Sequence, residues 1–233
     1  MITYENLRSF CYSNDKEIEG PIRGLQVSFM GLGSQRMLES PMDNSDELAQ
    51  KGIIYLMPYL NPWAWMNKMA VRTADEIIDA IKEHYGLPDL PVASTGGSMG
   101  GQSALVFCRY SHQNIVSCCT VCPVCDVPYH FTERPDLPRT MYSAFGDAPD
   151  FEAELRARSP LHLAASLPDI PYTFFHTAGD TQVGKKAHSD KMVAALRACG
   201  RTVTYHEFPE GGHCELGPEG AKLYNAECMK YLV

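Results

Sequence analysis

The fold is decided by residues 91–105, which read Pro91-Val92-Ala93-Ser94-Thr95-Gly96-Gly97-Ser98-Met99-Gly100-Gly101-Gln102-Ser103-Ala104-Leu105. The first five residues predict a short strand, and the apolar positions near the end predict a helix. The pattern G-x-S-x-G lies between them, from Gly96 to Gly100. A serine at such a strand-to-helix turn has an unfavourable backbone conformation and needs small neighbours. The stretch therefore predicts a strand–turn–helix unit that exposes Ser98 at its turn.

Strands and helices alternate on both sides of this turn. Predicted strands cover residues 25–30, 52–57, 115–122, 172–176 and 202–208, and predicted helices cover residues 69–85, 186–199 and 218–232. This alternation predicts the α/β class, with a doubly wound, mostly parallel sheet covered by helices on both faces. Residues 128–165 lose the periodicity among several prolines, and the best helix candidate there is 150–158. We expect one domain over residues 1–233, with a small lid insertion at about 128–165.

A serine hydroxyl becomes an effective nucleophile when a neighbouring base removes its proton. In this type of fold the acid and the histidine follow the serine, in loops after late strands. Asp180 lies in the loop after residues 172–176, and His213 lies in the glycine-rich turn after the last strand. Asp126, directly after the strand at 115–122, is an alternative acid. Asp180 could also be a simple turn residue, and any of the eight histidines could be a hydrogen-bonded structural residue.

Two backbone N–H groups are expected to bind a negatively charged oxygen during the reaction. One belongs to Met99, the residue after the nucleophile. The other is expected in the loop Met30–Ser34, with Leu32 as the preferred donor. The sequence thus predicts an oxyanion hole formed by Met99 and Leu32.

Aromatic residues near the expected site are candidates for binding substrate. Trp63 and Trp65 lie in a loop after a predicted strand, on the side of the sheet where ligands gather. Packing against the core explains either tryptophan equally well. Tyr129 and Tyr142 lie in the expected lid. These four residues are the predicted substrate contacts.

Four of the nine cysteines, Cys118, Cys119, Cys122 and Cys125, crowd into eight residues. The spacing can bind a metal or an iron–sulfur cluster, but the surrounding residues are those of a buried strand. Side-chain alternation would place Cys119 and Cys122 on opposite faces of that strand. We therefore expect no metal and no cofactor. The odd cysteine count also favours a reducing, cytoplasmic location.

Composition limits the partners. The formal net charge is −8, and no cluster of Lys and Arg suggests nucleic-acid binding. No apolar run reaches the roughly 18 residues of a membrane-spanning helix. The first six residues lack the pattern of a secretory signal. A small-molecule ester is the expected partner, and the oligomeric state stays open.

The chain resembles the α/β-hydrolase superfamily, especially its prolyl-oligopeptidase-like and small esterase branch. The residues that carry the resemblance are 96–101, Ser159-Pro160-Leu161, 176–183 and 211–213. The resemblance implies an eight-stranded fold shortened at its N-terminus, with Ser98 at a nucleophile elbow, His213 as base and Asp180 as acid. Met30 stands where many relatives carry a histidine.

The expected activity is cleavage of a carboxylic ester through an acyl-enzyme on Ser98, in a carboxylesterase of small or medium acyl esters, including acylated sugars. Esters demand less of a site than amides because their leaving groups depart more readily. A small serine peptidase of the prolyl-oligopeptidase type is the alternative enzyme. Two alternatives are not hydrolases. One is a catalytically silent binding module on the same scaffold, and the other is a redox or metal protein built on the cysteines.

Overall fold

The computed structural model describes residues 1–34, 37 and 44–233. Its centre is a seven-stranded sheet in the order β1-β3-β2-β4-β5-β6-β7. The strands are β1 (Cys11–Ser13), β2 (Gly24–Phe29), β3 (Ile53–Pro58), β4 (Val92–Gly97), β5 (Ile115–Val121), β6 (Tyr172–Thr177) and β7 (Val203–Phe208). β1 pairs with β3 in antiparallel register, and the other neighbours pair in parallel. Parallel pairing aligns the carboxyl ends of these strands along one edge of the sheet.

Helices cover both faces of the sheet. They are α1 (Ser45–Gln50), α2 (Lys68–Tyr85), α3 (Met99–Tyr110), α4 (Val127–Glu133), α5 (Leu137–Phe145), α6 (Phe151–Ala157), α7 (Pro160–Leu163), α8 (Ser189–Ala198) and α9 (Gly217–Met229). α2, α3 and α8 share one buried apolar cluster with β2 and β4. α1 and α9 contribute to the clusters on the opposite side. The predicted α/β class and mostly parallel sheet are therefore confirmed.

The segment 128–165 contains more regular structure than its sequence suggests. Within or overlapping it lie α4, α5, α6 and α7, whereas the sequence pattern indicated a helix at 150–158 alone. Prolines occupy the first turns of α4, α5 and α7. Proline is compatible with this position because the N–H groups of a helix's first turn have no partner inside the helix. Proline therefore marks helix starts here. That the segment acts as a lid stays a prediction.

The cysteine-rich strand ends earlier than predicted. β5 stops at Val121, and Cys122 has a φ of +43°. Because strand alternation ends there, Cys119 and Cys122 pack into the same buried cluster, together with Phe175 and Cys228. The expectation that the two cysteines lie on opposite faces is wrong.

No helix in the described part of the chain is both long enough and apolar enough to cross a membrane.

Candidate active site

Ser98 occupies the turn between β4 and α3. Its φ of 59° and ψ of −125° are unusual for a residue with a side chain. The backbone holds it there: the Ser98 N–H donates to the Val121 carbonyl at 3.0 Å, and the Ser98 carbonyl accepts from the Gly101 and Gln102 N–H groups at 3.1 Å each. The serine is thus fixed at the carboxyl edge of the sheet.

The glycines beside Ser98 are required by close backbone contacts. A Cβ atom on Gly100 would overlap the carbonyl oxygen of Phe29, and one on Gly96 would overlap that of Gly100. A Cβ on Gly101 would lie 2.8 Å from the Pro123 side chain. The turn therefore packs directly against β2.

Asp180 and His213 meet across the loops that follow β6 and β7. The His213 Nδ1–H donates to Asp180 Oδ2 at 2.7 Å. Asp180 Oδ1 accepts from the N–H groups of Gln182 and Val183, each at 2.9 Å. Burial disfavours the charged carboxylate, but hydrogen bonds from His176 and His213 lower the pKa of Asp180 far below its usual range. Asp180 is therefore ionised and orients the imidazole of His213.

The alternative acid, Asp126, has a different structural role. It is the N-cap of α4, and its side chain accepts a hydrogen bond from the Tyr129 N–H at 3.2 Å. The carboxylate hydrogen-bonded to His213 is that of Asp180.

Most of the candidate residues line one cavity of about 410 Å³. Its lining includes Ser98, Met99, Leu32, Trp65 and His213. Met99 is the first residue of α3, where backbone N–H groups lack an acceptor within the helix. The structure thus brings the predicted nucleophile, the base and both predicted oxyanion donors to one cavity.

Of the four predicted substrate contacts, only Trp65 is among the residues that line this cavity. The Trp65 side chain is fully buried, and its Nε1–H donates to Thr140 Oγ1 at 3.0 Å. The backbone φ of Trp65 is 44°. Trp63 lines a separate cavity of about 220 Å³. Tyr129 and Tyr142 are exposed. The structure therefore does not place Trp63, Tyr129 and Tyr142 in the candidate site.

Three residues beside Asp180 and His213 were not assigned to the site from the sequence: His176, Cys122 and Cys214. His176 Nε2 lies 3.4 Å from Asp180 Oδ2. Burial favours the neutral imidazole, yet hydrogen bonds to Asp180 and Cys122 raise the pKa of His176 to about 9. A hydrogen bond from Cys214 lowers the pKa of the Cys122 thiol, and the same bond raises that of Cys214. The position of Cys214 directly after His213 was the available signal.

A second polar cluster adjoins the cavity through His130. His130, which lines the cavity, donates from Nδ1 to Glu133 Oε2 at 2.5 Å. His188 Nε2 lies 2.9 Å from the same oxygen. Burial lowers the pKa of His130 to about 4, so its ring is neutral near pH 7.

Comparison with known proteins identifies the family. The model of the prolyl oligopeptidase family matches residues 64–232. A dipeptidyl aminopeptidase BIII of Pseudoxanthomonas mexicana is 30% identical over 180 residues, which cover 72% of this chain and 25% of that protein. The chain thus spans about a quarter of the length of the curated relatives it matches.

Solved structures share the fold at low sequence identity. A puromycin-hydrolyzing peptidase of Mycobacterium tuberculosis superposes with a TM-score of 0.73 at 19% identity, covering 92% of this chain and 34% of that one. Esterase B from Lactobacillus rhamnosis superposes with a TM-score of 0.68 at 14% identity, covering 92% of this chain and 78% of the esterase. The matched family model and the shared architecture agree with the resemblance found in the sequence. The chain belongs to the prolyl oligopeptidase family, a family of serine hydrolases with the α/β-hydrolase fold.

Proposed function

We propose that the protein is a serine hydrolase that transfers an acyl group to water through Ser98. The observation that carries this proposal is the hydrogen bond from His213 Nδ1 to Asp180 at 2.7 Å. Because Nδ1 bears the proton, the lone pair of His213 lies on Nε2, in a ring that lines the same cavity as Ser98. A base with an available lone pair, in the same cavity as a serine at a strained turn, is the arrangement that can activate a hydroxyl group.

In the proposed reaction, Ser98 Oγ attacks the substrate carbonyl carbon while His213 Nε2 accepts the hydroxyl proton. The N–H groups of Met99 and Leu32 bind the oxygen that becomes negative, and losing one such donor typically costs about 2.7–4 kcal/mol. The intermediate collapses, and the leaving group departs with the proton from His213. Water then attacks the acyl-enzyme by the same route and releases the acid.

The proposed substrate is a carboxylic ester with a small or medium acyl group. The cavity of about 410 Å³ is lined by apolar side chains that include Leu32, Trp65, Val124 and Val183. Apolar walls of this kind suit an alkyl or aryl group, and the volume lies in the lower part of the range of small-molecule sites.

A peptidase is the second candidate, and family membership favours it. The curated relative from Pseudoxanthomonas mexicana is called a dipeptidyl aminopeptidase. An amide substrate would follow the same steps, with an amine in place of the alcohol as leaving group.

Covalent labelling tests the proposal directly. We expect a fluorophosphonate probe to add once to the wild-type chain, with no addition to Ser98→Ala, as measured by intact mass. The physical reason is that the probe reacts with a hydroxyl group activated by a base. A folded wild-type protein that stays unlabelled beside a reactive control hydrolase would contradict the proposal and favour a silent binding module.

The substrate class requires a separate comparison. We expect kcat/KM to be higher for p-nitrophenyl acetate and butyrate than for dipeptidyl and acylaminoacyl p-nitroanilides, with Ser98→Ala as the blank. A higher value for an anilide would assign the site to peptides.

A further inference from the structure

Three groups of His, Cys and acidic side chains in the described residues have their ligand atoms within 4.8 Å of one another. They are Cys122 with His213 and Cys214, Cys122 with His176 and Asp180, and His130 with Glu133 and His188. A histidine binds a metal through a nitrogen lone pair, so the hydrogen bonds of each ring decide which group can do so.

In the group of His130, Glu133 and His188, neither histidine has a lone pair that faces the carboxylate. His188 Nδ1 accepts from the N–H groups of Cys125 and Asp126 at 3.1 and 3.2 Å. The His188 proton is therefore on Nε2, which donates to Glu133 at 2.9 Å. His130 donates to the same carboxylate oxygen through Nδ1. Both nitrogens that face the carboxylate carry protons.

The group around His176 is excluded for the same reason. His176 Nε2 lies 3.0 Å from the Val183 carbonyl oxygen, which can only accept, so Nε2 carries a proton. The other nitrogen, Nδ1, is hydrogen-bonded to Ser189 Oγ at 2.7 Å.

The group of Cys122, His213 and Cys214 differs. Because His213 donates from Nδ1 to Asp180, its Nε2 keeps a lone pair, and this atom lies 3.8 Å from Cys214 Sγ. In a tetrahedral zinc site, with Zn–S near 2.3 Å and Zn–N near 2.0–2.1 Å, the sulfur and nitrogen lie roughly 3.6 Å apart. The His213 and Cys214 ligand atoms are already close to that separation.

The surroundings also suit a bound ion. A carboxylate that accepts the second N–H of an imidazole is the usual outer partner of a zinc-binding histidine, and Asp180 has this position. Cys122 and Cys214 have φ values of 43° and 61°, which side-chain-bearing residues rarely adopt. His213 and Cys214 line the cavity, so an ion can reach them from it, and the buried Cys122 has its sulfur within 4.8 Å of their ligand atoms.

We propose that Cys122, His213 and Cys214 form a binding site for one zinc-class divalent ion, a thiol-preferring cation that takes tetrahedral coordination. Both thiols release their protons to solvent as the two Zn–S bonds form, and His213 adds one Zn–N bond. This site goes beyond the proposed hydrolysis: the ion occupies the His213 lone pair that would accept the Ser98 proton. Zinc binding and hydrolysis therefore exclude each other.

The test uses the whole chain, reduced with a phosphine and stripped with a chelator, titrated with Co²⁺ and then with Zn²⁺. We expect one Co²⁺ per chain, with a thiolate-to-cobalt charge-transfer band that Zn²⁺ abolishes. Cys122→Ser and Cys214→Ser should each weaken binding by at least the 10–100-fold that loss of an outer-shell partner costs. Cys199→Ser is the matched control, since Cys199 is a half-buried cysteine at the end of α8, and it should bind like the wild type. Zn²⁺ should also slow fluorophosphonate labelling of the wild type in proportion to occupancy.

Absence of the charge-transfer band, or unchanged affinity in both serine variants, would overturn the proposal. Zinc that binds without slowing the labelling of a reactive wild type would overturn the role of His213. If a serine variant fails to fold, His213→Gln gives the same comparison, since this side chain lines the cavity. Ser98→Ala should keep the cobalt spectrum, because Ser98 is not a ligand of the proposed site. A wild-type chain that binds cobalt but is not labelled by the fluorophosphonate would contradict the hydrolase proposal and leave the metal site intact.

Discussion

Asp180 combines two functions in one side chain. Its Oδ1 atom binds the N–H groups of Gln182 and Val183, which shapes the loop after β6. Its Oδ2 atom receives the Nδ1–H of His213 and so sets the tautomer of the proposed base. Because an ionised carboxylate only accepts hydrogen bonds, the two functions together require two acceptor oxygens on this side chain.

Asp180→Asn should therefore separate the two functions. The asparagine oxygen can still accept the loop N–H groups, whereas the amide N–H₂ group offers no acceptor to His213. We expect the fold to be retained and kcat to fall on the order of 10⁴-fold, the loss seen when a triad histidine has the wrong tautomer. Circular dichroism and steady-state kinetics on the preferred chromogenic substrate measure both effects.

Asp126→Asn provides the comparison, because asparagine also caps helices well. It should leave kcat within a few-fold of the wild type. Equal activity of the two variants would remove Asp180 from the proposed mechanism.

The residues after strand ends were the predictable part of the site. Ser98, Asp180 and His213 could be located from strand order and glycine-rich turns. The proximity of Cys122 to Cys214 was not predictable, because it depends on two left-handed backbone positions that do not follow from residue type. The orientation of Trp65 rather than Trp63 toward the cavity depends on a similar local φ of 44°.

The turn between β4 and α3 is held by backbone-to-backbone packing. Gly100 in α3 contacts the end of β2 with no space for a side chain. Helix propensity would favour alanine at such a position, so the glycine is explained by this contact and not by local preference.

Gly100→Ala should destabilise the fold despite the better helix propensity of alanine. The added methyl group would overlap the Phe29 carbonyl oxygen, and overpacking of this kind typically costs about 1–3 kcal/mol or more. Urea unfolding measures the change in the free energy of unfolding. Gly20→Ala is the matched control: nothing lies within 4 Å of an added Cβ there, so its stability should stay the same or rise slightly. Equal stability of both variants would show that the turn can move away from β2.

Elements with a clear sequence pattern were predictable. The other elements were missed, and each miss has a physical reason. α2 has its apolar positions at helical spacing, and parallel strands such as β3 and β5 are short apolar or β-branched runs, as expected of strands covered on both faces. β1 has three residues, too few to show a period. α4, α5 and α7 begin with proline in their first turn, which obscured them because a proline inside a helix would end it.

The stability of the entire protein should depend on pH through His130. Burial lowers the pKa of this ring from an ordinary value of 6.5 to about 4. The unfolded chain therefore binds a proton that the folded chain does not, between those two pH values. Stability should fall as the pH decreases from 6.5 to 4, by about 3 kcal/mol from this group alone.

His130→Asn tests this dependence, because the asparagine amide can still donate to Glu133 but does not titrate. Thermal unfolding midpoints between pH 7 and pH 4 should fall less steeply in the variant than in the wild type. Equal slopes of unfolding midpoint against pH in the two proteins would mean that His130 is not the source of the loss of stability at low pH.

The order of the elements along the chain also sets when the proposed catalytic residues can come together during synthesis. Ser98 follows β4, in the middle of the sheet, whereas the ring of His213 depends on β7, which is synthesised later. The two residues are 213 − 98 = 115 positions apart. At about 5–20 residues per second, translation of that interval takes roughly 6–23 seconds. During this interval the nascent chain contains its proposed nucleophile without a base, and it therefore cannot hydrolyse the acyl compounds around it.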